Sequence, residues 1–180
     1  MTGQPVEVDQ AAERASAFAR LLDEHLDAAY RLAQAILHDP SDAQDATHDA
    51  LIQAWRKWSS LRDVSQFRQW FDRILVNNCR NRLRHSTRFQ ARDISAEVNL
   101  ASGDQFGRAA DDHEMLGKAM ATLSPDHRLV VALRFYRDLP VEEIASRLGI
   151  PAGTVQSRLH YAMKHLHQLI DAAEAKGIIR

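Results

Sequence analysis

The chain has 180 residues, 45% hydrophobic and 26% charged, with a formal net charge of −1. These values fit a folded protein of one or two small domains. No apolar run reaches the roughly eighteen residues of a membrane span, and a single cysteine, Cys79, excludes an internal disulfide and suits a reducing cytoplasm.

The start, MTGQPVEVDQ, is polar and acidic and does not read as a signal peptide. Residues up to about Arg14 carry no strong pattern and are expected to be loose. Phe18, Leu21, Leu22, Leu26, Ala29, Tyr30, Ala33, Ile36 and Leu37 then recur at three-and-four spacing, which predicts an amphipathic helix. Asp39-Pro40 ends it. Ser41 and Gln44 read as a capping box opening a second helix to Trp58, with Ala46, Ala50, Leu51, Ala54, Trp55 and Trp58 as its apolar face. A short loop, Ser59 to Asp63, precedes a third helix capped by Asp63 and Gln66, with Phe67, Trp70, Phe71, Ile74 and Leu75 facing inward. Trp70 fits core packing and stacking on a base equally well.

From about Thr87 to Asp111 the pattern fades into Ser, Gly, Asp and Asn, a flexible linker. A second helical unit starts near Asp112; its first helix ends at Leu123, and Ser124-Pro125 opens the next. The predicted fold class is therefore all-α, with two small helical domains (15–86 and 112–170) joined by a linker over 87–111.

Charge is segregated along this plan. Arg73 to Arg92 contains six arginines and no carboxylate, and Ile144 to Ile170 is also free of acid. Acidic residues gather between Asp39 and Asp49 and between Asp93 and Glu114. Two basic stretches flanking an acidic one suggest two DNA-facing surfaces on a chain that is neutral overall.

LPVEEIASRLGIPAGTVQSRLHYAMKHLHQL has the spacing of a helix-turn-helix. Pro140 opens a helix with Ile144, Ala145 and Leu148 inward. Ala145 is small where the helices cross, and Gly149 can take positive φ at the turn. Ile150 and Val155 plug the angle, while Leu159, Ala162, Leu166 and Leu169 continue the stripe. Gln156, Ser157, His160, Tyr161 and Lys164 would then face a major groove, with Arg158 near the phosphates. The competing reading is a helical hairpin that never meets DNA, which seldom combines small residue, glycine and turn plug at this register.

Together these motifs make the chain similar to the sigma-70 family of bacterial RNA polymerase sigma factors, and to its compact extracytoplasmic-function (ECF) group. DPSDAQDATHDALIQAWRKW resembles the family's core-polymerase-binding helix, SQFRQWFDRILVNNCRNRLR its promoter −10 helix, and LSPDHRLVVALRFYRDLPVEEIASRLGIPAGTVQSRLHYAMKHL its −35 domain. The resemblance implies that Asp45, His48, Asp49 and Gln53 dock on the clamp helices of the largest polymerase subunit, a face otherwise readable as merely solvated. It implies that Arg62, Asp63 and Ser65 capture a flipped −10 base, and that Asn77, Asn78, Arg80, Asn81 and Arg84 follow the −10 region. It places −35 reading on Gln156, Ser157, His160 and Tyr161.

The chain departs from the family pattern at four of these positions. His48 stands where glutamine is common, Asp49 where glutamate is, Asn81 where aspartate often is, and Gln156 where many relatives carry lysine or arginine. Glutamine favours adenine, so an altered −35 preference is expected. The implied partners are core polymerase through both large subunits, promoter DNA and an anti-sigma factor, with no membrane insertion and no metal or cofactor.

Two other classes compete. Catalysis lacks a Walker loop, dinucleotide fingerprint, HExxH or CxxC, and His160, His165 and His167 are not spaced as metal ligands on one helix face. A stand-alone helix-turn-helix regulator would bind its operator unaided, whereas a sigma factor needs polymerase.

Overall fold

The computed structural model describes residues 5–92 and 112–175, and the side chains of 12–85 and 116–175. All regular structure among these residues is helical: α1 (Pro5–Leu37), α2 (Pro40–Lys57), two short 3-10 turns (Trp58–Ser60 and Val64–Gln66), α3 (Phe67–Arg92), α4 (Asp112–Ala121), α5 (Pro125–Tyr136), α6 (Val141–Leu148) and α7 (Ala152–Ala175). The first helix begins well before Arg14, so the expected loose start is helix from Pro5 onward. The expected linker likewise begins as helix, because α3 continues to Arg92; residues 93–111 lie outside the described residues.

The start of α2 differs from the predicted capping box. Asp39, in extended conformation, is the cap and accepts a hydrogen bond from the Asp42 amide at 2.8 Å, with Pro40 in the first turn. Before it, His38 closes α1 at φ 65°, donating its amide to the Gln34 carbonyl. Ser124 caps α5 as the sequence predicts, accepting from the His127 amide.

α1, α2 and α3 form one helical cluster. α2 buries Ala43, Ala46, Ala50 and Ala54, small residues that let it lie close against its neighbours. Phe18, Trp58, Phe67 and Phe71 fill the end of this core, with ring centroids 5.4 Å apart for Phe18 and Trp58 and 5.7 Å for Phe67 and Phe71. Trp55 departs from the predicted inward face: it is 50% exposed and touches Phe18 only by an edge. α4 to α7 form the second cluster, in which Met120, Leu123, Val131, Ala162 and Leu166 pack together.

The two clusters are in contact. α5 carries Leu129, Val130, Ala132 and Leu133 into the same buried core that holds Ala29, Leu32 and Ile36 of α1. The closed arrangement is reinforced by a buried ion pair. Arg137, just past α5, donates to both carboxylate oxygens of Asp72 on α3 (2.8 and 3.0 Å) and to the Ala28 carbonyl of α1 at 2.8 Å.

Candidate nucleic-acid interface

The acidic face of α2 flanks its alanine stripe on the side of α3. Asp45, His48 and Asp49 are exposed as the sequence suggests. Gln53 is half-buried and donates to Asn78 Oδ1 at 3.1 Å. Sequence reasoning missed Arg82, counted there among the DNA-facing arginines. Its guanidinium reaches back across α2 to Asp42 (3.3 Å), Asp45 (3.4 Å) and Asp49 (3.0 Å). Partial burial pulls its pKa down, but the hydrogen bond to Asp49 and the charges of Asp45, Asp49 and Asp42 outweigh that and hold it above its ordinary value. Three carboxylates on one guanidinium leave the face negative, so it still suits a basic partner.

The loop before α3 is anchored by buried Trp58 at one end and Phe67 at the other. Arg62, Asp63 and Ser65 are all exposed there. Asp63 Oδ1 accepts from the Ser65 amide at 2.9 Å and from its hydroxyl at 2.8 Å, a turn that fixes the loop backbone. Trp70 is half-buried beside Phe67, with centroids 6.0 Å apart.

Along α3 the predicted DNA face divides. Asn77, Asn81 and Arg84 are exposed, whereas Asn78 is buried against α2 and Arg80 is half-buried. Cys79 between them is fully buried, and that burial pushes its thiol up to about 12. Arg80, Leu83 and Arg84 line a cavity of about 390 Å³ whose far wall is Ser124, Pro125, Asp126 and Leu129 of the second cluster. Burial, then the charges of Arg84 and Arg158, lower the pKa of Arg80, against the pull of Asp126.

In the helix-turn-helix, Gly149 takes φ 65° and ψ 39° and ends α6, its amide donating to the Ala145 carbonyl. Ile144, Ala145, Leu148 and Val155 are buried as the spacing predicts. Gln156, Ser157, His160, Tyr161 and Lys164 are exposed on one side of α7. The His160 and Tyr161 rings meet edge to face at 5.5 Å, and the Ser157 hydroxyl donates to the Thr154 carbonyl. Arg158 is half-buried and ion-paired with Asp126. Asp126 thus stands between arginines drawn from both basic stretches.

The Asp72–Arg137 pair was also missed. One signal was available: Asp72 sits inside the apolar run Phe71, Ile74, Leu75, where a carboxylate needs a buried partner.

Comparison with known proteins agrees with this layout. The sigma-70 region 2 family model matches residues 21–89 and the sigma-70 region 4 model matches residues 119–168. The ECF RNA polymerase sigma factor SigL of Mycobacterium tuberculosis is 33% identical over 161 residues, 87% of this chain and 90% of that protein. This chain is an ECF sigma factor of the sigma-70 family. Its role is to direct RNA polymerase to promoters. The RNA polymerase sigma-E factor of Streptomyces coelicolor is 28% identical to this sigma factor over 152 residues, 82% of each chain.

Among solved structures, the sigma factor RpoE of Bartonella quintana, in complex with the anti-sigma factor NepR, superposes with a TM-score of 0.67 at 26% identity. That match covers 86% of this sigma factor and 96% of RpoE, so the likeness runs across both clusters. CnrH, solved in complex with the cytosolic domain of CnrY, shares the fold, with a TM-score of 0.58 at 24% identity over 90% of this chain and 95% of CnrH.

Proposed function

We propose that this sigma factor docks on core polymerase through the acidic face of α2 and reads promoters with two separate surfaces. Asp45, His48 and Asp49 meet the basic clamp helices of the largest subunit, with Gln53 at the edge of that contact. The second cluster touches the flap of the other large subunit. Arg62, Asp63 and Ser65 hold a base flipped from the −10 element, beside Asn77, Arg80, Asn81 and Arg84. Asn78 supports that helix from beneath through Gln53. Gln156, Ser157, His160 and Tyr161 read the −35 duplex, with Lys164 on the same groove face and Arg158 near its phosphates. The workplace is the cytoplasm, where promoters are.

The exposure of these residues on one side of α7 is the observation that carries the −35 assignment. The closed arrangement is the polymerase-free form. The −10 and −35 elements lie about 25 base pairs apart, about 85 Å of duplex at ~3.4 Å per pair. A compact chain of this length has a radius of gyration of only about 16 Å. Both elements can be read together only after the clusters separate, and the stretch 93–111 can span at most about 65 Å when extended. Asp126 must also release Arg158 before that side chain can meet phosphate. An anti-sigma partner that grips both clusters would hold the closed form, as suits the likeness to RpoE bound by NepR. Held apart on polymerase, two weak readers combine into a tight one.

The test is transcription from a promoter library with purified core, with and without the protein. Initiation at a defined −35 and −10 pair is expected only with it. Gln156→Arg should move the preference at one −35 position from adenine toward guanine, with mismatched pairs losing about 1–3 kcal/mol. If the protein neither joins core nor directs initiation, the reading fails.

A further inference from the structure

A second cavity, of about 250 Å³, lies between the clusters and shares only Asn77, at its rim, with the surfaces above. Arg73, Val76 and Asn77 of α3 line one wall, Ser146 and Arg147 of α6 the other. The Arg147 side chain is only 3% exposed. Its Nη2 donates to Glu143 Oε1 at 2.6 Å, but Nε and Nη1, both buried, find no acceptor among the described residues. Leaving a buried donor unmade is expensive, more so when it is charged. Two guanidiniums against one carboxylate also leave the site positive. The exposed Arg73, Asn77 and Ser146 make it reachable from solvent and add an amide and a hydroxyl.

We propose that this cavity binds a small phosphate oxyanion, free or as the terminal group of a phosphorylated metabolite, and that the bound anion ties the two clusters together. A tetrahedral oxyanion brings several acceptor oxygens and negative charge at once. Those are what two unpaired guanidinium nitrogens, a second arginine, an amide and a hydroxyl lack. Charge-assisted bonds of this kind are about twice as strong as neutral ones. The walls come from different clusters, so the ligand stabilises the closed form by mass action. Binding itself is independent of the sigma reading. Only its consequence, a phosphate-dependent brake on promoter use, rests on that reading.

Calorimetric titration of the full chain at constant pH and ionic strength tests this, with inorganic phosphate, glycerol 1-phosphate and chloride as separate arms. Saturable one-to-one binding is expected for one or both phosphates and none for chloride. Which phosphate binds tighter identifies the free or esterified form. Arg147→Met should abolish binding. Ser146→Asp, at an exposed rim position, should weaken it roughly tenfold or more by charge repulsion and competition for the arginines, with circular dichroism unchanged and melting no lower. Fluorophores at Glu24→Cys and Gln168→Cys should report a higher closed fraction when phosphate is added. Absence of saturable phosphate binding, or undiminished binding by Ser146→Asp, would overturn the proposal. So would binding that leaves the closed fraction unchanged. Because these readouts use no polymerase, a failure here is distinct from a failure to direct transcription.

Discussion

α3 is held at two places by ion pairs of opposite character. Near its start, Asp72 meets Arg137 in a pocket where the two side chains are 5% and 6% exposed. Near its middle, Arg82 meets three aspartates that are each at least half exposed. In the buried pair both charges have left water, and their hydrogen bonds to each other and to the Ala28 carbonyl are what make that tolerable. At the exposed clasp water and salt compete with every contact, and such pairs contribute about 0–1 kcal/mol. One is a latch between clusters; the other shapes the charge of the acidic face of α2 without holding the fold.

The largest effect should come from breaking the latch. Asp72→Ala strands a buried guanidinium, so the closed form should lose about 3–5 kcal/mol. Small-angle scattering should show a larger radius of gyration, and the first transition in urea should move to lower concentration. The double change Asp72→Leu with Arg137→Met removes both charges and should restore much of that loss. A double variant as open as Asp72→Ala would mean the pair acts by more than mutual neutralisation.

Arg82→Met should change stability by no more than about 1 kcal/mol. Its effect should appear instead in polymerase binding, which becomes tighter at low salt as the freed carboxylates face the basic partner, with the gain fading as salt rises. Equal stability losses for Arg82→Met and Asp72→Ala would erase the distinction between clasp and latch.

The smallest effect concerns His38, at the end of α1. Partial burial and then the charge of Arg128 on α5 lower its pKa below 6.5, against the pull of Asp39. A lowered histidine pKa means the folded form prefers the neutral ring. Its contribution is therefore intact above about pH 6.5 and is lost as pH falls through the folded value. Mild acid should slightly loosen the contact of α1 with α5. His38→Asn, which tolerates the positive φ there, should flatten that dependence in melts between pH 7 and pH 5.

Much of this molecule was legible from local pattern. Three-and-four spacing identified α1 to α3, and the helix-turn-helix followed from Pro140, Ala145, Gly149 and Val155, each answering to a neighbour a few residues away. The start of α2 was misread because Asp39 and Ser41 are both good caps, and Pro40 at the first helical position decides between them. Trp55 was misread because large apolar side chains at helical spacing do not reveal which edge of the stripe reaches solvent. What could not be seen was long-range pairing. Asp72 and Arg137 are separated by 65 residues, and Arg82 by 33 to 40 from its aspartates. Among the candidate site residues, the exposed ones on α7 were where the spacing put them, whereas Asn78 had turned inward to serve Gln53.

α5 belongs to two packing groups at once, sending Val131 into one and Leu129, Val130, Ala132 and Leu133 into the other. Peeling it from α1 wets leucine and valine side chains that water does not reach in the closed chain. An opened chain is therefore adhesive toward any apolar surface, itself included, and its lifetime in isolation is short. A partner surface that covers this freed face therefore stabilises the separated clusters, so opening and capture reinforce each other.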